Sequence, residues 1–293
     1  MIKVGTCGFS YPEWKGPFYP EKLPAQQMLA YYADHFPAVE IDSTYYHIPP
    51  PRNMAGLAKR AEGKVDFAVK AHQDMTHARE KYAEALPHFR AALAPLREAG
   101  ALGCVLVQFP FSFKAAPEHR DFLRRLAGDL HPDPTVVEFR HQSWITDETF
   151  GLLAELGLAY CCVDEPRLRN LPPPVVRVTA SPAYVRFHGR NREKRWTHAE
   201  AWERYDYLYS EAELLEWVSK IRSLAERAER CYALSSPSSS LPVPTRQTGS
   251  PRWSTCLCRG QTGASGRPER TARRRGTRCR FLCNGSSPHS AAE

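Results

Sequence analysis

Short apolar runs recur along the first 234 residues, each followed by a stretch of helical periodicity. Residues 2–7, 38–43, 66–71, 103–109, 135–139, 159–163 and 183–187 are apolar at most positions and rich in β-branched and aromatic side chains. That is the pattern of strands covered on both faces, as in a parallel sheet. Helices are predicted near 24–35, 53–61, 86–99, 117–127 and 146–157. Pro24 suits a first turn and Gly157 a helix stop, whereas Pro95 predicts a kink or a break. A capping box, Ser210-x-x-Glu213, opens the last helix, with Leu214, Leu215, Val218, Ile221 and Leu224 on one face. The proline-rich stretch LRNLPPPVVRVTASP stands where a sixth helix would otherwise fall.

Strands alternating with helices over about 250 residues predict an α/β chain folded as a TIM-type (β/α)8 barrel. The eighth strand is expected to be truncated or aberrant. Only Cys231-Tyr232-Ala233-Leu234 has strand character before SSPSSSLPVPTRQTGSP begins and periodicity stops. The domain organisation expected is therefore a barrel over 1–233 and a low-complexity Arg/Ser/Pro-rich tail over 234–293. The tail holds too few aliphatics to offset the cost of ordering and is expected to be disordered. Its abrupt loss of Lys, Asp and periodicity is what a shifted reading frame would leave. Cys256, Cys258, Cys279 and Cys283 lie there, but the CxC spacing is a poor fit to a zinc site.

Charge changes the picture less than the total suggests. The net charge is +8, from 40 Lys and Arg against 32 Asp and Glu. From Ser235 onward there are ten Arg, no Lys, and two acids, Glu269 and Glu293, so residues 1–234 balance at 30 of each sign. A broad phosphate-tracking surface on the barrel is thereby disfavoured. Of nine Cys, five precede the tail, mostly inside apolar runs, and no CxxC pair occurs. The opening MIKVGTCGFSYPEW has no long apolar segment, and no run approaches membrane-spanning length. These features predict a reduced, soluble, cytoplasmic protein without membrane contact.

Polar residues recur at i, i+2 late in the predicted strands. The pairs are Glu40 and Asp42, Lys70 and His72, Glu138 and Arg140, and Arg186 and His188, with Gln108 and Asp164 ending strands four and six. Alternate strand residues point into a barrel, and active sites sit at the C-terminal ends of its strands. Four such pairs at matching positions predict an active-site rim, although any single one is as readily a structural ion pair. His47, His77 and His141 follow strands two, three and five, and His77 and His141 join the acid/base candidates. Tyr11, Trp14, Tyr19, Tyr45, Tyr46, Trp144, Trp196 and Trp202 fall in loops after strands, most as packing and some able to stack on a sugar or a base.

In order along residues 1 to about 233, GTCGFSYPEWKGPFYP, VEIDSTYYHIP, FAVKAHQDMTH, VLVQFPFSF, VEFRHQSW and YVRFHG resemble the domain of unknown function 72 family, also called YecE-like. The resemblance implies a TIM-barrel-like fold, a bacterial or archaeal cytoplasmic protein, and no established activity. It also implies an eighth strand ending in asparagines on the same rim, from which this chain departs after Tyr232 or Ala233.

Three functions compete. The first is an enzyme acting on an anionic substrate, a phosphorylated sugar or a nucleotide. Lys70, Arg140 and Arg186 would hold the anion, Glu138 or Asp164 would be base, and His188 or His141 acid, with Glu40, Asp42, His77 and Gln108 also lining the site. The second is a metal-dependent hydrolase or isomerase using Glu40, Asp42, Glu138, Asp164 and His188, which the three cations oppose unless paired off. The third is a nucleic-acid-binding barrel without catalysis. The sequence names no cofactor.

Overall fold

The structure is a computed structural model that describes residues 1–197, 199 and 203–236, apart from the Arg204 side chain. Trp202 and the tail from residue 237, with its four cysteines, lie outside the described residues. Eight parallel strands close into a barrel in sequence order: β1 (Ile2–Cys7), β2 (Ala38–Ile41), β3 (Asp66–Lys70), β4 (Leu102–Gln108), β5 (Thr135–Glu138), β6 (Leu158–Asp164), β7 (Ala183–Phe187) and β8 (Cys231–Ser235). Seven α-helices accompany them among the described residues: α1 (Met28–Ala33), α2 (Pro51–Ala61), α3 (Gln73–Thr76), α4 (Tyr82–Glu98), α5 (Pro117–Leu130), α6 (Asp147–Glu155) and α7 (Glu211–Arg227). No described helix is long and apolar enough to cross a membrane.

The short eighth strand is sufficient to close the sheet. It pairs with β1 from Ile2↔Cys231 to Thr6↔Ser235 and with β7 from Ala183↔Cys231 to Phe187↔Ser235. Tyr232 secures it at the N-terminal end of the barrel. Its hydroxyl donates to Asp66 Oδ2 at 2.6 Å, and Lys3 Nζ lies 2.7 Å from the same oxygen. The ring lies over Gly103, where an added Cβ would come within 2.7 Å of the Tyr232 hydroxyl. Glycine in β4 thus leaves the space that the tyrosine of β8 occupies.

Alternation sorts the strand residues into two layers. Inward-facing Ala38, Ala68, Cys104, Leu106, Val136, Ala159, Cys161, Val163, Tyr184 and Leu234 fill the barrel, small residues opposite large ones. Outward-facing Val39, Phe67, Val105, Val137, Cys162 and Val185 pack beneath the helices.

Two local expectations resolve differently. The helix carrying Pro95 is neither broken nor short: α4 runs through Pro87 and Pro95. Ala85, Phe89, Ala92, Leu93 and Leu96 are all buried along it, and that packing outweighs the backbone bonds its prolines lose. The proline-rich connection forms no helix and instead lies along β6 as a strap. Thr179 Oγ1 accepts from Tyr160 N and donates to Leu158 O, and Cys162 Sγ donates to Arg177 O. The capping box at Ser210 and Glu213 is present with both of its bonds.

Candidate functional site

Counting inward positions toward the C-terminal ends of the strands leads from the apolar interior into charge. The series runs Ala38 to Glu40, Ala68 to Lys70, Leu106 to Gln108, Val136 to Glu138 and Arg140, Val163 to Glu165, and Tyr184 to Arg186 and His188. Barrel closure brings six of the predicted residues into one network: Glu40, Gln108, Glu138, Arg140, Arg186 and His188.

Arg186 is its centre. Nη1 donates to Glu138 Oε2 at 2.6 Å and to Gln108 Oε1 at 3.4 Å, and Nη2 donates to Glu40 Oε1 at 2.7 Å and to Cys7 Sγ at 3.5 Å. Glu138 Oε1 receives His188 Nε2 at 3.1 Å, and Arg140 Nε lies 2.6 Å from it, out of line for a directed hydrogen bond. Arg140 Nη2 donates to Gln108 Oε1 at 3.2 Å, and Tyr184 donates its hydroxyl to Glu40 Oε2 at 3.0 Å. Glu40, Glu138, Arg186 and His188 are all buried.

The network sets protonation. Burial opposes charge on Glu138, but Arg140, Arg186 and His188 together hold its carboxyl well below the usual range. Glu40 has one guanidinium rather than two, and burial pushes it up. Burial and then Arg140 drive His188 well below the ordinary histidine value, so its ring is neutral. An ionised carboxylate can only accept, so the ring proton sits on Nε2 facing Glu138, and Nδ1, 3.4 Å from Ser236 Oγ, accepts from that hydroxyl.

The remaining predicted residues surround this floor or leave it. Lys70 reaches the mouth from β3. Its Nζ lies 4.5 Å from the Tyr45 ring centre, and no described carboxylate is within ion-pair distance. Burial and then Arg186 lower its pKa. His77 packs edge-on to Tyr45, with ring centres 5.0 Å apart, and binds Thr76 Oγ1 through Nδ1 at 2.9 Å. Burial, Lys70 and Arg140 bring its pKa down to about 4. Asp42 sits half-buried at the rim above Glu40.

His141 works locally, its Nδ1 capping the turn Gln142–Trp144 through Ser143 N at 3.1 Å. The structure does not bring Asp164 into the network. It occupies the outward parity of β6 and accepts from Arg190 Nε at 2.8 Å, Arg190 Nη2 at 2.7 Å, the Tyr209 hydroxyl at 3.2 Å and Trp217 Nε1 of α7. Its lone pairs are occupied by bonds that tie the β7 loop and α7 to the barrel.

The residue after Asp164 takes the inward place. Glu165 is buried and pairs with Arg195, and Arg140 Nη1 lies 3.6 Å from its Oε2. Glu165 Oε1 and Arg195 Nη1 are buried without a partner. Tyr205, in the turn Glu203–Tyr205, lies over the same cations, with its ring centre 6.0 Å from that of His188. Burial works against its ionisation, but Arg140, Lys70, Arg186 and Arg195 together pull the phenol below its ordinary value. The loop is held close: Gly189, at φ 80°, packs so tightly that a Cβ would come within 2.7 Å of Tyr207, and its N–H donates to the Tyr209 hydroxyl.

Parity counted from Cys161 and Val163 points to Glu165. Arg195 and Tyr205 lie in an irregular loop and give no periodic signal. Of the carboxylates that could ligate a metal, Glu40, Glu138 and Asp164 are engaged by guanidinium groups. Among the described residues, no three His, Cys, Asp or Glu side chains are grouped to hold an ion.

The loop aromatics divide as well. Trp14, Tyr19 and Trp144 are buried, Trp144 donating its Nε1–H to Phe113 O, whereas Tyr46 and Trp196 stand in solvent.

Comparison with known proteins places this architecture. The chain is 31% identical over 254 residues to UPF0759 protein YunF of Bacillus subtilis, covering 80% of this chain and 88% of that one. A crystal structure of a DUF72 family protein from Thermotoga maritima matches with a TM-score of 0.75 at 36% identity, over 88% of this chain and 96% of the other. Another from Enterococcus faecalis has a TM-score of 0.75 at 24% identity, over 93% and 100% of the two chains, and shows the shared fold. The family model described as protein of unknown function DUF72 matches residues 3–239, and this chain, with its closed barrel and charged mouth, belongs to that family.

Proposed function

We propose that the chain is an enzyme acting on a small anionic substrate, a phosphorylated sugar or a nucleotide, bound at the C-terminal face of the barrel. The observation that carries this reading is Lys70, a partly buried cation at the mouth with no described carboxylate in pairing distance. A desolvated ammonium that feels Glu40 and Glu138 only at a distance is costly, and an anionic ligand would supply a directly paired charge. Arg140 stands beside it in the electrostatic neighbourhood of Tyr205 and is the second anion-binding group.

The roles divide by what each side chain already holds. Arg186 spans Glu40 and Glu138 and serves as the rigid floor. Glu138, held ionised, orients His188 by accepting its Nε2–H, while burial and Arg140 keep that ring neutral. Tyr205 is the proton-transfer group, because a phenol among four cations can exist as its anion nearer to neutral pH than an ordinary tyrosine. A metal-dependent reaction is less well supported, since Glu40 and Glu138 are committed to arginines.

Titration calorimetry with inorganic phosphate and phosphorylated sugars tests the reading. Lys70→Gln and Arg140→Gln are each expected to weaken binding at least tenfold, with the melting temperature of Lys70→Gln unchanged. If both variants bind every anion that the unmodified protein binds, and equally tightly, the assignment is wrong.

A further inference from the structure

The rim above the cations is aromatic, and two of its rings stand in water. Trp196 is 56% exposed and Tyr46 is 74% exposed, among the few large hydrophobic side chains so placed. Neither is loose. Trp196 packs edge-on against Phe111, with ring centres 5.4 Å apart, and the Arg195 guanidinium lies 6.0 Å from its ring. Tyr46 packs edge-on against Tyr45 at 4.9 Å, and Tyr45 in turn carries Lys70 Nζ. An exposed ring braced by a neighbouring ring can serve as a stacking platform, and here Trp196 adjoins Arg195 while Tyr46 adjoins the ring that carries Lys70.

The floor narrows what can lie on these platforms. A sugar is recognised through hydroxyls that need acceptors, yet Glu40, Glu138 and Gln108 spend their oxygens on Arg186, Arg140, His188 and Tyr184. Below the rim, where Asp42 stands, the floor's acceptor left over is Glu165 Oε1, buried in one pair with an unpartnered donor, Arg195 Nη1, next to Trp196. One donor and one acceptor left over on a single Arg195–Glu165 pair match in kind the hydrogen-bonding edge of a nucleobase.

We propose that the ligand of this mouth is a nucleobase carried on a phosphate. The base stacks on Trp196, and the phosphate pairs with Lys70 and Arg140. This rests on the anion-binding reading above and narrows it to nucleotides. The charge balance of residues 1–234 favours a free nucleotide over a long nucleic acid, whose phosphates would need a wider basic track.

Titration calorimetry on the full chain would compare adenosine and cytidine monophosphates, ribose 5-phosphate, inorganic phosphate and a ten-nucleotide single strand, against the unmodified protein, Trp196→Leu and Lys70→Gln. Mononucleotides are expected to bind at least tenfold more tightly than ribose 5-phosphate. Trp196→Leu should remove roughly a tenfold or greater advantage, the scale of a lost base stack, and leave ribose 5-phosphate unchanged. Equal affinity for mononucleotide and ribose 5-phosphate, or a Trp196→Leu variant that keeps the gap, would overturn the nucleobase assignment and leave the anion site standing. Absence of Lys70-dependent binding for every phosphate probe would overturn the anion site and this inference with it. Tighter binding of the single strand than of the mononucleotide would support the inference and identify a strand as the source.

Discussion

Arg186 and Glu138 meet 2.6 Å apart in the barrel interior, both shielded from water, although 48 residues separate them in the chain. A second carboxylate, Glu40, takes the other arm of the same guanidinium at 2.7 Å. Three strands are therefore joined through one planar cation, and the geometry is suited to rigidity more than to ligand exchange. This separates the arginine of the floor from the lysine of the mouth.

That separation has a thermodynamic signature. Arg186→Met would leave two buried carboxylates without their shared partner, and breaking a buried pair typically costs ~3–5 kcal/mol. Lys70→Met removes a cation that has no described ion pair and buries a stem of similar length, with an expected change under ~1 kcal/mol. Urea denaturation midpoints of the two variants measure the contrast. Equal destabilisation would show that Lys70 belongs to the scaffold.

Asp164 gives the opposite test, of a residue that is structural although it looks catalytic in the sequence. It gathers bonds from Arg190, Tyr209 and Trp217, so Asp164→Ala leaves several buried donors unsatisfied. At ~1–3 kcal/mol for each unmatched buried group, a loss of ~2–4 kcal/mol is expected. The affinity for phosphate probes should change less than threefold in protein that remains folded. A selective loss of ligand affinity with unchanged stability would move Asp164 into the site.

The neighbouring pair Asp164 and Glu165 shows how far the sequence can be read. Apolar runs locate all eight strands, because burial on both faces leaves a continuous signal. Parity within a strand is legible only where its end is known. Strand six reads naturally as ending at Val163, which makes the first acid look like the rim residue. The packing of Cys161 and Val163 into the barrel instead puts Glu165 on that side. Arg195 and Tyr205 are not legible, because their positions depend on how an irregular loop folds back over the mouth. The continuity of α4 through Pro95 is hidden for a related reason, since the packing of Phe89, Leu93 and Leu96 decides it.

Protonation of the site links pH to stability. His77 falls from an ordinary value of 6.5 to about 4 in the folded chain, and burial also holds His188 well below its ordinary value. In the unfolded chain both rings take up a proton near pH 6.5, while the folded chain resists until lower pH. The unfolded state therefore binds more protons between about pH 4 and 6.5, so stability is complete above this window and declines as pH falls through it. Glu138, held below the usual carboxylate range, extends the decline at lower pH. Denaturation midpoints between pH 7 and 4.5 should fall steadily, and His77→Gln should flatten part of the slope. A midpoint that stays constant from pH 7 to 5 would contradict this assignment of neutral histidines.

Tyr205 offers a spectroscopic test that needs no substrate. The chain has 13 tyrosines, and burial pushes Tyr11, Tyr19, Tyr32, Tyr160 and Tyr184 upward, away from any early titration. Tyr205 alone among the described phenols moves the other way, drawn down by Arg140, Lys70, Arg186 and Arg195 against the effect of burial. Phenolate absorbance should therefore show one tyrosine ionising below the ordinary value of about 10, well separated from the buried phenols. Tyr205→Phe should abolish that step, and Arg140→Gln should shift it to higher pH, because Arg140 is the largest of the four attractions. If the first phenol to titrate survives Tyr205→Phe, the proton-transfer role has no basis, since a phenol that stays protonated to about pH 10 has no advantage over any other tyrosine as a base.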